Sequence, residues 1–234
     1  ELLRELRGLG PERLCDAVVT FGRLRFEDSG FLGGLAETFV AQLPKCPPRQ
    51  LAVTLHGFAR LGLQDSRVYD AAAPEIERSL LGFRPPDMAL CLWAFARSSH
   101  RHLSLFSRVQ EDLKRQDLSH LAPADVSMLL WSFSRVEFDI DDDLLSSLTH
   151  CVSRGCHNFS REALLVTCLA FARLGFAQQP VLIDLYRSLY AQLPWLSHSQ
   201  LAFTFFLFST SGVRDEPLLN RFFFECAQRL TQLC

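Results

Sequence analysis

Five arginines recur at a near-constant interval: Arg23, Arg60, Arg97, Arg135 and Arg173 stand 37 or 38 residues apart. A guanidinium is always charged and offers a planar fork of donors that matches phosphate or carboxylate. A row of them on successive elements can follow a sugar-phosphate backbone, which gives affinity without reading sequence. The row also has structural readings. Each side chain can lie along its own helix, cap a carbonyl at the helix end, or pair with a carboxylate on the next element. Four further residues carry base-contact chemistry. Asp16 and His56 can hydrogen-bond a base edge, and Trp93 and Trp131 can stack on bases. Burial between packed elements is the alternative for the two indoles.

Other chemistry is absent. The run His150-Cys151-Val152-Ser153-Arg154-Gly155-Cys156-His157 holds zinc-type donors. Its adjacent His150 and Cys151 point in different directions on a helix, however, and Cys151 falls on a core position, so the run reads as a helix end and no metal is expected. No Gly-rich phosphate loop, nucleophile elbow or zinc-protease motif occurs. The 7 histidines have no carboxylate partner in register. No enzyme, no cofactor and no small-molecule substrate are expected.

The elements that must position the arginines are legible from one phrase. Each arginine lies two residues after an anchor phenylalanine, and the phrase is clearest at Leu92-Trp93-Ala94-Phe95-Ala96-Arg97. The anchors Phe21, Phe58, Phe95, Phe133, Phe171 and Phe208 are spaced by 37, 37, 38, 38 and 37 residues. So regular a period marks a stacked helical-repeat protein. Seven residues before each anchor stands Leu14, Leu51, Met88, Val126, Leu164 or Leu201, and three before stands Val18, Leu55, Leu92, Leu130, Cys168 or Phe205. These offsets share one helical face, the core stripe of a first helix. One before the anchor lies Thr20, Gly57, Ala94, Ser132, Ala170 or Leu207, mostly small, so a neighbouring helix can come close. A second helix follows, with apolar Leu32, Tyr69, Phe106, Leu144, Leu182 and Leu219 in one row. Seven residues later comes Phe39, Ile76, Leu113, Cys151, Leu189 or Cys226.

Turn signals agree. Gly62 and Gly175 end first helices, Pro47-Pro48, Pro85-Pro86-Asp87 and Ala122-Pro123 open them, and Ser197 with Gln200 has capping-box spacing. Pro74 falls within a second helix and predicts a kink there. Leu2-Leu3-Arg4-Glu5-Leu6 reads as the end of an earlier helix. No strand pattern competes. The predicted fold is all-α: one right-handed α-solenoid domain over 1–234, with six helix-turn-helix repeats at about 12–48, 49–85, 86–123, 124–161, 162–198 and 199–234.

Composition narrows the partners. The chain has 234 residues, is 48% hydrophobic and carries a formal charge of -2. That is not the balance of a strongly basic free nucleic-acid binder. No apolar run is long enough to cross a membrane, so no membrane insertion is expected. The 8 cysteines lie mostly in apolar helical stretches, which points to a reducing compartment. The chain begins at Glu1 rather than Met, so any targeting peptide would be missing from it, and localisation is not read from this N-terminus. Five residues before the anchors, Asp16 is followed by Val53, Leu90, Met128, Val166 and Phe203. So apolar a row argues against reading one base per repeat and suits packing on protein or structured RNA.

At Leu92-Trp93-Ala94-Phe95-Ala96-Arg97 and its in-phase copies, the chain resembles the octotricopeptide and heptatricopeptide repeat families. These are helical-hairpin arrays of organellar proteins in algae and apicomplexan parasites. It is similar in style to the helical region of RAP-domain proteins and of the Fas-activated serine/threonine kinase family. The resemblance runs from Pro11 to Cys234. It implies organellar RNA work: transcript stability, processing, translation, or a place in the mitochondrial ribosome. No RAP-like tail is visible, so no nuclease-like activity is implied. The expectation is a structural component of the mitochondrial ribosome in the matrix, holding rRNA and neighbouring proteins. The alternatives are a plastid or apicoplast location, a free transcript factor, and a protein scaffold without RNA contact.

Overall fold

A computed structural model describes residues 8–24, 26, 28–175, 180–211 and 215–231, apart from the side chains at 211, 226, 230 and 231. The expected helix end at Leu2-Leu3-Arg4-Glu5-Leu6 and the Cys226 side chain lie outside the described residues. Among the described residues all regular structure is helical. The α-helices are α1 (Pro11–Leu24), α2 (Ser29–Gln42), α3 (Pro48–Arg60), α4 (Ser66–Arg78), α5 (Pro85–Arg97) and α6 (Leu103–Leu113). There follow α7 (Pro123–Arg135), α8 (Asp142–Gly155), α9 (Arg161–Arg173), α10 (Pro180–Ala191), α11 (His198–Ser211) and α12 (Glu216–Thr231).

The helix starts follow from local chemistry. Proline stands at the first turn of α3, α5 and α7, where its missing N–H is no loss. Side-chain oxygens cap others: Asp28 accepts from Phe31 N at 2.8 Å, and Asp141 from Asp143 N at 3.0 Å. At α11, Gln200 N donates to Ser197 Oγ (3.2 Å) while Ser197 N donates to Gln200 Oε1 (2.9 Å). This is the capping box read from the sequence. Helix α4 runs on through Pro74 to Arg78.

The helix ends share one device. The carbonyl of the anchor phenylalanine accepts the N–H five residues on: Phe26 N to Phe21, Leu63 N to Phe58, His100 N to Phe95 and Phe138 N to Phe133. The residue before that donor is left-handed at Gly62 (φ 76°), Ser99 (φ 61°) and Glu137 (φ 54°), and Gly175 (φ 80°) holds the matching place. This pairing of a long closing bond with a left-handed residue is the Schellman helix end. The sequence gives a glycine at two of these four places. At the other two, a serine and a glutamate carry the steric cost of that conformation.

Helix packing is between neighbours. The odd-numbered helices touch in series, α1 on α3, α3 on α5, α5 on α7, α7 on α9 and α9 on α11. The even-numbered helices pack more loosely, α2 on α4, α4 on α6, α8 on α10 and α10 on α12. The core lies between the two sets. Phe58, Phe95, Phe133 and Phe171 are wholly buried, as are the leucines, valine and methionine seven residues before the anchors. Leu32, Tyr69, Phe106, Leu144 and Leu182 bury the second helices. Cys151, expected in this core, is only half-buried.

The small residues before the anchors set the close approach of the odd helices. Gly57, Ala94, Ser132 and Ala170 are buried. A Cβ on Gly57 would meet Val18 Cγ1 at 2.7 Å, closer than van der Waals contact permits. Polar links also cross between helix pairs. Ser127 and Thr167 share a buried hydrogen bond of 2.9 Å between α7 and α9. The buried Asp87 carboxylate accepts from Arg49 on α3 and pairs with Arg84. A buried carboxylate stripped of its cation would be strongly destabilising, so this contact holds α5 against α3.

Two stability measurements test this account. Gly57→Ala should lower stability by about 1 kcal/mol, because overpacking outweighs the gain in helix propensity. In a Val18→Ala background the same change should be stabilising, and an equal loss in both backgrounds would refute the close contact. Ser99→Gly should raise stability by about 1 kcal/mol by relieving the left-handed backbone, read as a higher denaturant midpoint.

Candidate functional site

The helix ends fix where the arginines stand. Arg60, Arg97, Arg135 and Arg173 are the last residues of α3, α5, α7 and α9, and Arg23 lies in the last turn of α1. Each therefore opposes the partial negative charge of a helix C-terminus, a favourable placement for a cation. All five are exposed. Arg49, Arg67, Arg78, Arg84, Arg101, Arg108, Arg187 and Arg229 all pair with carboxylates. None of the five row arginines has a hydrogen bond or ion pair among the described residues. Neither carbonyl capping nor carboxylate pairing occupies them there.

The row divides by surroundings. Arg60 and Arg97 line an open depression of about 610 Å³ together with Trp93, Trp131, Gly22, Phe26 and Val166. Arg135 and Arg173 line a different one, of about 570 Å³, whose other wall carries Glu137, Asp139 and Asp142. The carboxylates there offset the guanidinium charge, although no pair closes to within ion-pair distance. Arg23 lines neither depression.

The aromatic candidates are brought together on the outer side of the odd helices. The His56 and Trp93 rings lie 4.8 Å apart, centroid to centroid, and Trp93 and Trp131 lie 6.0 Å apart. All three are half-buried, and each packs on a neighbouring ring. Burial, aided by the charge of Arg60, pushes the His56 imidazole down to about 4. It is neutral at pH 7 and adds no cation to the row. Asp16 stands apart, exposed on α1 and outside the depression. Around it the matching places are half-buried Val53, Leu90, Met128, Val166 and Phe203, an apolar surface.

Phe26, in the aromatic depression, is not among the residues that the sequence singles out. Phe26 follows its anchor by five residues, the place of the closing N–H donor, which is the signal that would have found it. Beside the acidic wall, Asp141 caps α8 by accepting from Asp143 N.

The cysteines and histidines assemble nothing further. Cys15, Cys46, Cys91, Cys151, Cys156 and Cys168 are free thiols. Burial pushes the thiols of Cys91 and Cys168 far up, which keeps them protonated and unreactive. No cluster of three or more metal-ligating side chains exists among the described residues. No described helix is long and apolar enough to cross a membrane. Comparison with protein-family models gave no match, and neither did comparison with curated proteins.

The depressed His56 pKa has a consequence for stability. The unfolded imidazole takes up a proton below about 6.5, whereas the folded one resists until about 4. Folding therefore loses stability as pH falls through that window. His56→Gln should lose less stability than wild type between pH 7 and 4.5, measured as urea midpoints. Parallel loss in both proteins would show that His56 does not titrate as described.

Proposed function

We propose that this chain is an RNA-associated helical-repeat protein, a right-handed α-solenoid of six helix-turn-helix repeats. It serves as a structural component of the mitochondrial ribosome, holding rRNA on one side and neighbouring proteins on others. One observation carries the reading: a row of exposed arginines without partners among the described residues, beside a half-buried aromatic row on the same outer face. Phosphate is the ligand that such guanidinium groups suit. The resemblance to octotricopeptide and heptatricopeptide arrays supports the organellar setting and the work on RNA. The near-neutral charge and the apolar surface around the arginines favour a fixed place within a large assembly over a free factor.

A second reading, a protein scaffold without RNA contact, draws on the last helix pair. Phe223 is 57% exposed, whereas Ala36, Ala73 and Tyr186 at the matching places are buried against the next pair. Ala202 is likewise exposed where Ala52 and Ala89 are buried. A further helix pair, of this chain or of a protein neighbour, would continue the packing of the array by stacking here.

The arginines separate the two readings. Replacing Arg60 and Arg97 together by glutamine should weaken binding of a labelled mixed-sequence RNA and flatten the salt dependence by about 1.5 in log–log slope. Arg135→Gln with Arg173→Gln, on the depression with the acidic wall, should change it by less than about 1. An unchanged slope in both variants, with protein partners retained after nuclease treatment, would establish the scaffold instead.

A further inference from the structure

We infer that the depression bordered by Trp93 and Trp131 takes an unpaired stretch of RNA, with a base stacked on the exposed part of the indole pair and flanking phosphates on Arg60 and Arg97. This rests on the RNA reading above and deepens it by naming the form of RNA and its seat.

Three observations converge on one place. Trp93, Trp131, Arg60 and Arg97 line the same depression, which also has apolar Phe26 and Val166 in its walls. The two indoles lie 6.0 Å apart and inclined by 37°, and each is half-buried. They are held as a fixed ledge by their mutual contact and by His56, packed on Trp93. Arg60 and Arg97 are exposed, with no carbonyl or carboxylate partner among the described residues, so their donors are free for a ligand.

The chemistry of the lining selects the occupant. It offers flat π surface and apolar wall in the depression, and fixed positive charge on two neighbouring helix ends. The complementary molecule carries flat unsaturated faces and a regular series of negative charges. A single strand of RNA has both, because its bases can leave the stack and each nucleotide brings a phosphate. A duplex hides its base faces inside the stack and offers the depression phosphates alone. Neutral His56 neither repels an approaching arginine contact nor supplies one, so charge recognition here falls to the guanidinium groups. Since every base has a π face, the site tolerates sequence. That agrees with the scarcity of hydrogen-bonding side chains in the apolar row around it.

The chain has 3 tryptophans, and Trp195 is 66% exposed in a separate short helical turn. Trp195→Phe therefore leaves Trp93 and Trp131 as the emitting residues. A labelled mixed-sequence RNA of about ten nucleotides, single-stranded or annealed to its complement, is titrated against this protein while indole emission and anisotropy are followed. The single strand is expected to quench emission and to bind more tightly than the duplex. Trp93→Leu with Trp131→Leu should weaken single-strand binding by about 5- to 150-fold, the worth of one stacked base. Trp93→Phe with Trp131→Phe should retain most of the affinity, and circular dichroism checks that each variant folds. Arg60→Gln with Arg97→Gln should flatten the salt slope and still permit quenching at low salt. Single-strand binding with unchanged emission and no loss in either tryptophan pair would overturn this seat and leave the RNA reading standing. Preference for the duplex would overturn it as well. Failure of both RNA forms to bind would remove the RNA reading itself.

Discussion

The hydrogen bond that closes α1, α3, α5 and α7, from an N–H back to the carbonyl of the anchor phenylalanine five residues earlier, sets the rest of the architecture. It joins a core contact to a chain reversal at one residue. The ring locks the helix to its neighbours, and the carbonyl of the same residue decides where the helix stops. The arginine two places later then has no freedom in its position. It stands where the backbone turns out of the core, in the last turn of α1, α3, α5, α7 and α9. An exposed row of cations thus arises as a by-product of a structural one.

Much of this was legible in the sequence because both sides of the hairpin bury residues at fixed offsets from the anchor. Leu14, Leu51, Met88, Val126, Leu164 and Leu201 all lie in the core, as their spacing required. The capping box at Ser197 and Gln200 could also be read directly, since it depends on two side chains three residues apart. What could not be read depended on partners distant in sequence or on backbone state. Ser99 and Glu137 take the left-handed conformation with no glycine to announce it. Asp87 looked like a helix start and proves to be a buried link to Arg49 of the preceding pair. The division of the arginine row between an aromatic and an acidic setting required knowing which loop faces which helix end.

The outer face of the odd helices combines properties that soluble surfaces usually keep apart. Its apolar places are half-covered by one another, so it avoids presenting a wide bare hydrophobic patch. Its sole imidazole in the aromatic row is held neutral by burial. Such a face has little long-range pull on polyanions in a protein whose formal charge is -2. In the RNA reading proposed here, attraction would come from close fit after encounter, which favours slow exchange and long residence over rapid search.

The serial packing of odd helices has a kinetic corollary. Each odd helix from α1 to α9 meets the next, whose anchor lies 37 or 38 residues on, wherever it falls in the chain. The entropy lost on closing that segment is therefore nearly the same at every step and does not grow as the protein lengthens. A helix pair leaving the ribosome finds its docking surface already complete behind it. Assembly can then advance from the N-terminus at the pace of synthesis, with only the newest pair exposed at any moment.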